Sequence, residues 1–414
     1  MKLLIICPFF PYPLNAGIRI REYNLLTRLA NRHEISLFSL IQSDEELDFV
    51  HELKQYCKQI VAIRPDHQQS GTIDGRRKLS NVVCGIFDKR PIHFYGRPSP
   101  NVSVALEKVL TRHKFDLLLV DTLFMSNYVL DAFERCDITA PKVLIEHNVE
   151  TQVQRREIAL APTLVKKVRK CVYWATFRGF ERQTCLKFDH IIVVSEPDKR
   201  LLLHLCPELS EKQVTVIPNG VDTKIFRPGL AEPKPNTLIY SGALTYHANY
   251  DAVAYFLQKI FPLIKTAIPD ISLTITGGYE GAALDKLSLD GHVTLTGYVP
   301  DVRPYIAGSA ISIIPIRAGG GTRLKILESL ALGTPVVSTV MGAEGLELVH
   351  NRHILLACDP RTFAEQAVRL LRDKDLRERL RGEGRRLVEE KYDWDRIAEA
   401  MESCIRELAS KGQR

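Results

Sequence analysis

The sequence contains no CxxC pair and no cluster of cysteine and histidine at zinc-site spacing, which argues against a zinc-binding module. Its cysteines are odd in number and scattered, at positions 7, 57, 84, 136, 171, 185, 206, 358 and 404. This pattern is not typical of a disulfide framework. We therefore expect reduced, buried thiols in a cytoplasmic protein.

Long apolar runs are also missing. No segment approaches the roughly 20 apolar residues that a membrane-spanning helix needs. The N-terminal stretch MKLLIICPFFPYP has five or six apolar residues before Pro8, too few for the core of a signal peptide. We expect this stretch to form a buried first strand.

Two common phosphate-binding motifs are absent as well. The chain has no GxxxxGK[ST] segment, and GGGTRL at 319–324 lacks the third glycine of GxGxxG. The sequence therefore supports neither a P-loop nucleotide hydrolase nor an ordinary dinucleotide-binding domain.

What the chain does have is ordinary globular composition over a length that suits two domains. It has 414 residues, of which 45% are hydrophobic and 25% charged. The formal net charge of +7 is modest for this length. It favours an anionic ligand or a membrane surface over dedicated nucleic-acid binding.

Short apolar runs alternate with helical patterns along the whole chain. They are KLLIIC, EISLFSL, DLLLV, KVLIE and HIIVVS, followed by TLIYSG, SLTITGG, VTLTG, ISIIPI and PVVST. Continuous apolar runs indicate strands that are buried on both faces, and their alternation with helices indicates parallel sheets. The sequence therefore predicts an α/β protein with two doubly wound, Rossmann-like domains. We place the boundary near residue 212, before a segment rich in proline and glycine.

The stretch GGGTRLKILE, from Gly319, is the clearest indication of a ligand. Three glycines lead into a helical pattern that begins with Arg323 and Lys325. The positive end of a helix dipole repels cations, so these two need an anion nearby. Glu328 follows one turn later, where a carboxylate can bind ribose hydroxyls. The pattern predicts a bound nucleotide diphosphate, and the alternative is that the two cations form a solvated face.

Four segments together resemble the recurring motifs of retaining glycosyltransferases of family 4. They are PNGVD at 218–222, VVSEPDKRLL at 193–202, LIYSGALTYHANYDAVAYF at 238–256 and KILESLALGTPVVSTVMGAEGL at 325–346. They occur in the expected order, and the match runs nearly end to end.

The resemblance implies the GT-B fold, in which two Rossmann-like domains face each other across a cleft. It implies metal-independent transfer of a sugar from a nucleotide-diphosphate sugar to a hydroxyl acceptor, with no cofactor besides this co-substrate. The expected organisation is an acceptor-side domain at 1–212, a donor-binding domain at 213–390, and a final segment, 391–414, that crosses back onto the first domain.

The resemblance and the glycine-rich turns together assign the site residues. Those for donor binding are Gly17, Gly242, Gly277, Tyr298, Gly320, Gly321, Thr322, Arg323, Lys325 and Glu328, and those for catalysis are His147, Arg323 and Lys325. The chain departs from the family at two places. Glu328 matches the second of two family glutamates, but the first falls on Gly320, so a donor-sugar contact is missing or replaced. The loop ALTYHANYD also lacks the family's cations, so we expect Arg323 and Lys325 to carry that charge.

His147 follows the strand KVLIE and, by the resemblance, faces the donor sugar; the alternative is a structural histidine. Glu146 and Glu150 flank it, and no unambiguous nucleophile is visible. We therefore favour front-face attack, with the charge of the leaving diphosphate stabilised by Arg323, Lys325 and backbone amides.

The segment 164–190 combines lysine and arginine with aliphatic and aromatic residues at helical spacing. Basic amphipathic helices of this type lie on anionic membranes, although part of this one is expected to be core. Membrane contact would suit a lipid-linked or polysaccharide acceptor, cell-envelope biosynthesis and a peripheral location on the inner face of the membrane.

Two other functions are compatible with the sequence, since one fold serves many functions. A sugar-nucleotide 2-epimerase on the same fold would release the epimeric nucleotide sugar without an acceptor. A non-catalytic nucleotide-sugar-binding protein would bind tightly without turnover. Loops and backbone atoms contact the base, the sugar and the acceptor, so the sequence does not identify them.

Overall fold

The computed structural model describes residues 1–66, 99–159 and 163–412. The chain falls into two compact units: unit 1 comprises Met1–Pro218 and Ala398–Arg414, and unit 2 comprises Asn219–Ile397. Each unit is built on one parallel sheet with helices connecting its strands. This confirms the predicted α/β class with two doubly wound sheets.

The sheet of unit 1 has seven strands among the described residues, in the order β3-β2-β1-β4-β5-β6-β7. These are β1 (Lys2–Cys7), β2 (Glu34–Leu40), β3 (Gln59–Ile63), β4 (Leu117–Asp121), β5 (Lys142–Glu146), β6 (His190–Val193) and β7 (Val214–Val216). Its helices are α1 (Gly17–Leu29), α2 (Val50–Leu53), α3 (Pro100–Arg112), α4 (Thr122–Arg135), α5 (Glu150–Ala159), α6 (Leu164–Cys185) and α7 (Glu196–Leu205).

The sheet of unit 2 has six strands in the order β10-β9-β8-β11-β12-β13. These are β8 (Lys234–Ser241), β9 (Ser272–Thr276), β10 (Val293–Gly297), β11 (Ser309–Ile314), β12 (Val336–Thr339) and β13 (Leu355–Ala357). Its helices are α8 (His247–Tyr255), α9 (Phe261–Ala267), α10 (Arg303–Ala307), α11 (Leu324–Ala331), α12 (Pro360–Arg372) and α13 (Lys374–Leu387).

The central strands form because their residues are apolar on both faces. β11 is buried along its whole length, and Leu3, Leu4 and Ile6 of β1 are fully buried. At the other edge of the first sheet, β7 pairs in parallel with β6. That sheet therefore extends past residue 212, where the proline and glycine pattern placed the boundary.

The strand order reverses once in each sheet, between β1 and β4 in unit 1 and between β8 and β11 in unit 2. Doubly wound sheets bind ligands beyond the carboxyl ends of the strands at such a switch point. Asp121 ends β4 in unit 1, and the glycines from Gly319 follow β11 in unit 2. Both groups of polar and glycine residues are thus placed by the topology at ligand-binding edges.

The last helix, α14 (Trp394–Gly412), starts in unit 2 and continues in unit 1 from Ala398 onward. Within unit 1 it buries Met401 and Ile405, which are 1% and 0% exposed. Its Glu402 carboxylate pairs with the His33 imidazole, and both side chains are buried. Apolar burial and this polar pair hold the end of the chain to unit 1.

The sequence analysis also predicted reduced cysteines and the absence of a membrane-spanning helix. The cysteines of the described residues are free thiols, but Cys171 and Cys358 are exposed, so the expectation that all are buried was wrong; Cys84 lies outside those residues. Among the helices that the structure describes, each is too short or too polar to cross a bilayer.

Candidate functional site

The loops that follow β8 and β9 in unit 2 are in direct backbone contact. Gly277 has φ +117°, and a Cβ on it would lie 2.6 Å from the Gly242 carbonyl carbon and from the Ala243 nitrogen. Only glycine fits such an approach without displacing the neighbouring loop. Gly242 and Gly277, both assigned to donor binding by the sequence, therefore shape one surface.

The triple-glycine loop after β11 is closed by the side chain that follows it. Gly319 and Gly321 have positive φ, and Nη1 of Arg323 donates to the carbonyls of Gly320 and Gly321. Thr322 is held by the Asn219 amide, whose Nδ2 lies 2.8 Å from Oγ1. Arg323 is the N-cap residue of α11, and its guanidinium braces the loop.

Lys325 lies beneath the loop that follows β8. Its Nζ is 3.1 Å from both the Tyr240 hydroxyl and Oδ1 of Asn249, and 4.2 Å from the centre of the Tyr240 ring. A Cβ on Gly242 would lie only 2.6 Å from Nζ. These contacts argue against the solvated-face alternative, since the ammonium group contacts Tyr240 and Asn249 and borders Gly242.

The charge on Lys325 is unusually easy to lose. Burial, and to a smaller extent the Arg323 charge, lowers the pKa of Lys325 to about 7, although the Glu328 charge opposes both effects. Burial likewise raises the pKa of Glu328 to about 7, against the effect of Lys325. A cation and a carboxylate poised near neutrality, one turn apart on α11, are characteristic of a functional site rather than an exposed helix face.

The other donor residues predicted from the sequence lie on other elements. Tyr298 follows β10, an edge strand, and is 70% exposed. Gly17 is in unit 1, where it begins α1. The cations near it have protein partners, because Arg19 is 2.5 Å from Glu46 and buried Arg21 donates to the Ile217 and Pro218 carbonyls.

In unit 1, His147 directly follows β5, and its side chain is held by the last residue of the neighbouring strand β4. Its Nε2 is 2.6 Å from Oδ1 of Asp121, and the Asp121 side chain is completely buried. Sequence reasoning identified His147 but missed Asp121. The available signal was an aspartate that directly follows the apolar run LLLV, at the same sheet edge as His147.

Cys7 and Glu22 are buried next to Asp121. Within the described residues these three form the one group with potential metal-ligand atoms close together, all within 4.8 Å. Burial, and then the Asp121 charge, raises the pKa of Glu22 well above its usual value, and the pKa of the Cys7 thiol is raised by burial as well. Protonated groups are poor metal ligands, so a hydrogen-bonded cluster fits these residues better.

Of the two glutamates beside His147, Glu146 is buried in the interior of unit 1 and Glu150 is half-buried. Glu146 is 3% exposed, and burial, followed by the charge of Glu181, raises its pKa well above the usual value. Glu181 accepts hydrogen bonds from the backbone amides of Glu150 and Thr151, at 2.8 and 2.9 Å, and so caps α5. A buried, protonated Glu146 does not fit the role of a nucleophile.

Comparison with known sequences gives matches along most of the chain. A model of Glycosyltransferase Family 4 matches residues 16–225, and a model of Glycosyl transferases group 1 matches residues 235–373. An uncharacterized 44.6 kDa protein in the cps region of Klebsiella pneumoniae is 22% identical over 96% of this chain and 97% of its own length. A phosphatidyl-myo-inositol mannosyltransferase of Mycobacterium leprae is 26% identical over 62% of this chain and 69% of its own.

Solved structures are similar over nearly the whole chain. Sucrose-phosphate synthase from Thermosynechococcus elongatus has a TM-score of 0.72 and 17% identity, over 99% of this chain and 100% of that one. Anabaena HepE in complex with UDP-glucose has a TM-score of 0.67 and 12% identity, over 99% of both chains. At these low sequence identities, the similarity shows only that this chain shares the fold of these proteins.

Proposed function

The chain belongs to glycosyltransferase family 4, and from this we propose that it moves a sugar, with retention of configuration, from a nucleotide-diphosphate sugar to a hydroxyl acceptor. The observation that carries the proposal is Lys325, an enclosed ammonium group next to the Gly242 loop and one turn from Glu328. A diphosphate beside it would add a stronger counter-charge than Glu328 alone. The UDP-glucose bound to Anabaena HepE supports a donor of this class.

In the proposed reaction the main task of the protein is to stabilise the leaving diphosphate. Lys325 supplies a charge, Arg323 holds the glycine loop in shape, and the loop amides supply hydrogen-bond donors. We assign front-face attack because Glu146, beside His147, is buried and its pKa is raised well above the usual value, which disfavours the carboxylate that a nucleophile needs. We propose that Lys325 neutralises the leaving diphosphate in place of a metal ion.

Glu328 is assigned to the ribose of the donor. Glu328→Gln keeps the shape and removes the charge, so nucleoside diphosphate binding should weaken about tenfold or more, the usual effect of losing hydrogen bonds to a charged group. The measurement is calorimetric titration with UDP, GDP and ADP, using exposed Glu365→Gln on α12 as the matched control. Equal affinity of the wild type for the 2′,3′-dideoxy form of the best ligand would show that Glu328 does not bind ribose.

We assign the acceptor to unit 1 and place it at an anionic membrane surface through α6. Phe177 and Phe180 pack this helix into the core of unit 1. Its first half instead exposes an apolar stripe, with cations beside it. The stripe consists of Leu164, Val165, Val168 and Val172, which are 77%, 79%, 56% and 56% exposed, and the cations are Lys166, Lys167 and Arg169. This is the arrangement of a helix that lies in a membrane interface.

Replacing two valines of the stripe tests the membrane assignment. Val168→Asp with Val172→Asp should lower binding to vesicles of phosphatidylcholine with 30% phosphatidylglycerol about tenfold or more, because two apolar side chains no longer enter the interface. Co-sedimentation measures the binding. Val104→Asp is the control, since Val104 is a half-exposed valine on α3 of the same unit. Unchanged binding of the double variant would refute membrane contact through α6.

A further inference from the structure

The first helix after β4 begins with a side chain that does not cap it. Asp121 occupies the N-cap position of α4, where an aspartate usually accepts a hydrogen bond from a backbone amide of the first turn. Its carboxylate makes no such bond within α4, all of whose residues are described. Oδ1 instead lies 2.6 Å from Nε2 of His147. The helix therefore lacks a stabilising cap while the carboxylate holds an imidazole.

The backbone at this turn is strained. Thr122, the first residue of α4, has φ +67°, a left-handed conformation that a β-branched residue rarely adopts. Its hydroxyl is buried and has no hydrogen-bond partner among the described residues. Backbone strain of this kind persists only where the surrounding structure holds the residue in place, and it is often found at functional sites. Here it lies at the turn that carries Asp121.

The second oxygen of Asp121 faces a proton donor that comes from another element. Oδ2 of Asp121 and Oε1 of Glu22 are both buried, and neither has a donor among the described residues. A single proton on Glu22 satisfies both oxygens, in agreement with the raised pKa of Glu22, the Asp121 charge and the hydrogen bond between them. Cys7 completes the set, because its thiol donates to Glu22 at 3.4 Å.

We propose that Asp121, supported by Glu22, is a positioning residue that fixes His147 with its proton on Nε2 and leaves Nδ1 to accept a hydrogen bond from a sugar hydroxyl. Nε2–H donates to Oδ1, because the proton between the two carboxyl groups is on Glu22 and the Asp121 oxygens are left as acceptors. In the neutral ring Nδ1 is then an acceptor. The tautomer follows from unit 1 alone, whereas the contact with sugar rests on the proposed function.

The tautomer can be read directly by NMR of the full chain labelled with ¹³C and ¹⁵N at histidine. The His147 signals, assigned by their loss in His147→Gln, should show the Nε2–H tautomer in the wild type. Asp121→Asn should populate the other tautomer, because an amide can donate to the ring as well as accept. Asp116→Asn is the matched control, since Asp116 accepts from the Lys2 amide at the opposite end of β4. It should leave the His147 signals unchanged.

Turnover with a nucleotide-sugar donor gives the second readout. Asp121→Asn should lower kcat about tenfold or more and change the donor KM less than about threefold, because misplacing a group affects the reacting state more than binding. An Nδ1–H tautomer in the wild type, or an unchanged tautomer in folded Asp121→Asn, overturns the positioning role even if the protein transfers sugar. If the wild type shows the Nε2–H tautomer but Asp121→Asn has an unchanged kcat, the contact between His147 and the sugar is overturned. The wild-type spectrum decides the tautomer even if Asp121→Asn does not fold.

Discussion

Lys325→Met should weaken nucleoside diphosphate binding about 10- to 100-fold, the range expected when a charge-assisted contact in an enclosed site is lost. The loss should be larger for a nucleoside diphosphate than for the monophosphate, because Lys325 is assigned to the diphosphate. Methionine is unbranched and similar in length to lysine, but it lacks the ammonium group that lies over the Tyr240 ring. The fold of unit 2 should therefore survive, and the effect should fall on binding.

The same variant should remove a proton-uptake signal. Without ligand the pKa of Lys325 is about 7, so most Lys325 side chains are neutral at pH 8. A bound diphosphate raises this pKa, so binding at pH 8 should take up close to one proton, about 0.9 for a bound pKa well above 8. Glu328, with a pKa of about 7, is mostly ionised at pH 8 and contributes little. Calorimetry in two buffers of different ionisation enthalpy measures the uptake.

Two controls make this result specific to Lys325. Lys286→Met removes an exposed lysine of unit 2 and should leave both affinity and proton uptake unchanged. Lys325→Arg keeps a permanent charge, so it should bind without taking up a proton. Undiminished uptake in Lys325→Met would show that the diphosphate binds elsewhere.

Glu402→Leu should lower the stability of unit 1 by about 1.5–3 kcal/mol, the usual effect of losing a buried hydrogen bond to a charged group. The Glu402 and His33 side chains are 5% and 2% exposed, so the imidazole would be left buried without its carboxylate. Native-state hydrogen exchange measures the opening free energy of each unit separately. The effect should appear in unit 1, to which both residues belong.

Glu399→Leu is the matched control, because Glu399 is exposed on the same helix. It should change the opening free energy by less than about 0.5 kcal/mol. Equal effects of the two variants would mean that α14 is held to unit 1 by its apolar residues alone, without a contribution from the buried pair.

The interior strands could be predicted from the sequence, whereas three edge strands could not. β1 and β11 are mostly apolar and almost wholly buried, as expected for strands in the interior of a sheet that is covered on both faces. β3, β7 and β13 lie at sheet edges, and β7 and β13 have only three residues each. Such short, partly exposed strands carry too weak a pattern to be recognised. The strand order also depends on pairing between distant segments, which no local pattern records.

The residues of the candidate site were likewise only partly predictable from the sequence. Lys325 and Glu328 could be identified because their spacing on one helix is local. The sequence could not show that the Arg323 guanidinium turns back onto the loop carbonyls or that Tyr240 and Asn249 enclose Lys325. Asp121 was missed because its partner, His147, is 26 positions away and meets it only when β4 and β5 pair.

The most direct test of sugar transfer is to follow the products by ¹H NMR. The chain is incubated with α-linked UDP-, GDP- and ADP-sugars, with and without an octyl glycoside acceptor in mixed micelles. We predict that one donor gives a new α-glycoside and free nucleoside diphosphate in equal amounts, and that both depend on the acceptor. A β-glycoside would contradict retention, and an epimeric nucleotide sugar formed without the acceptor would contradict the proposed transfer.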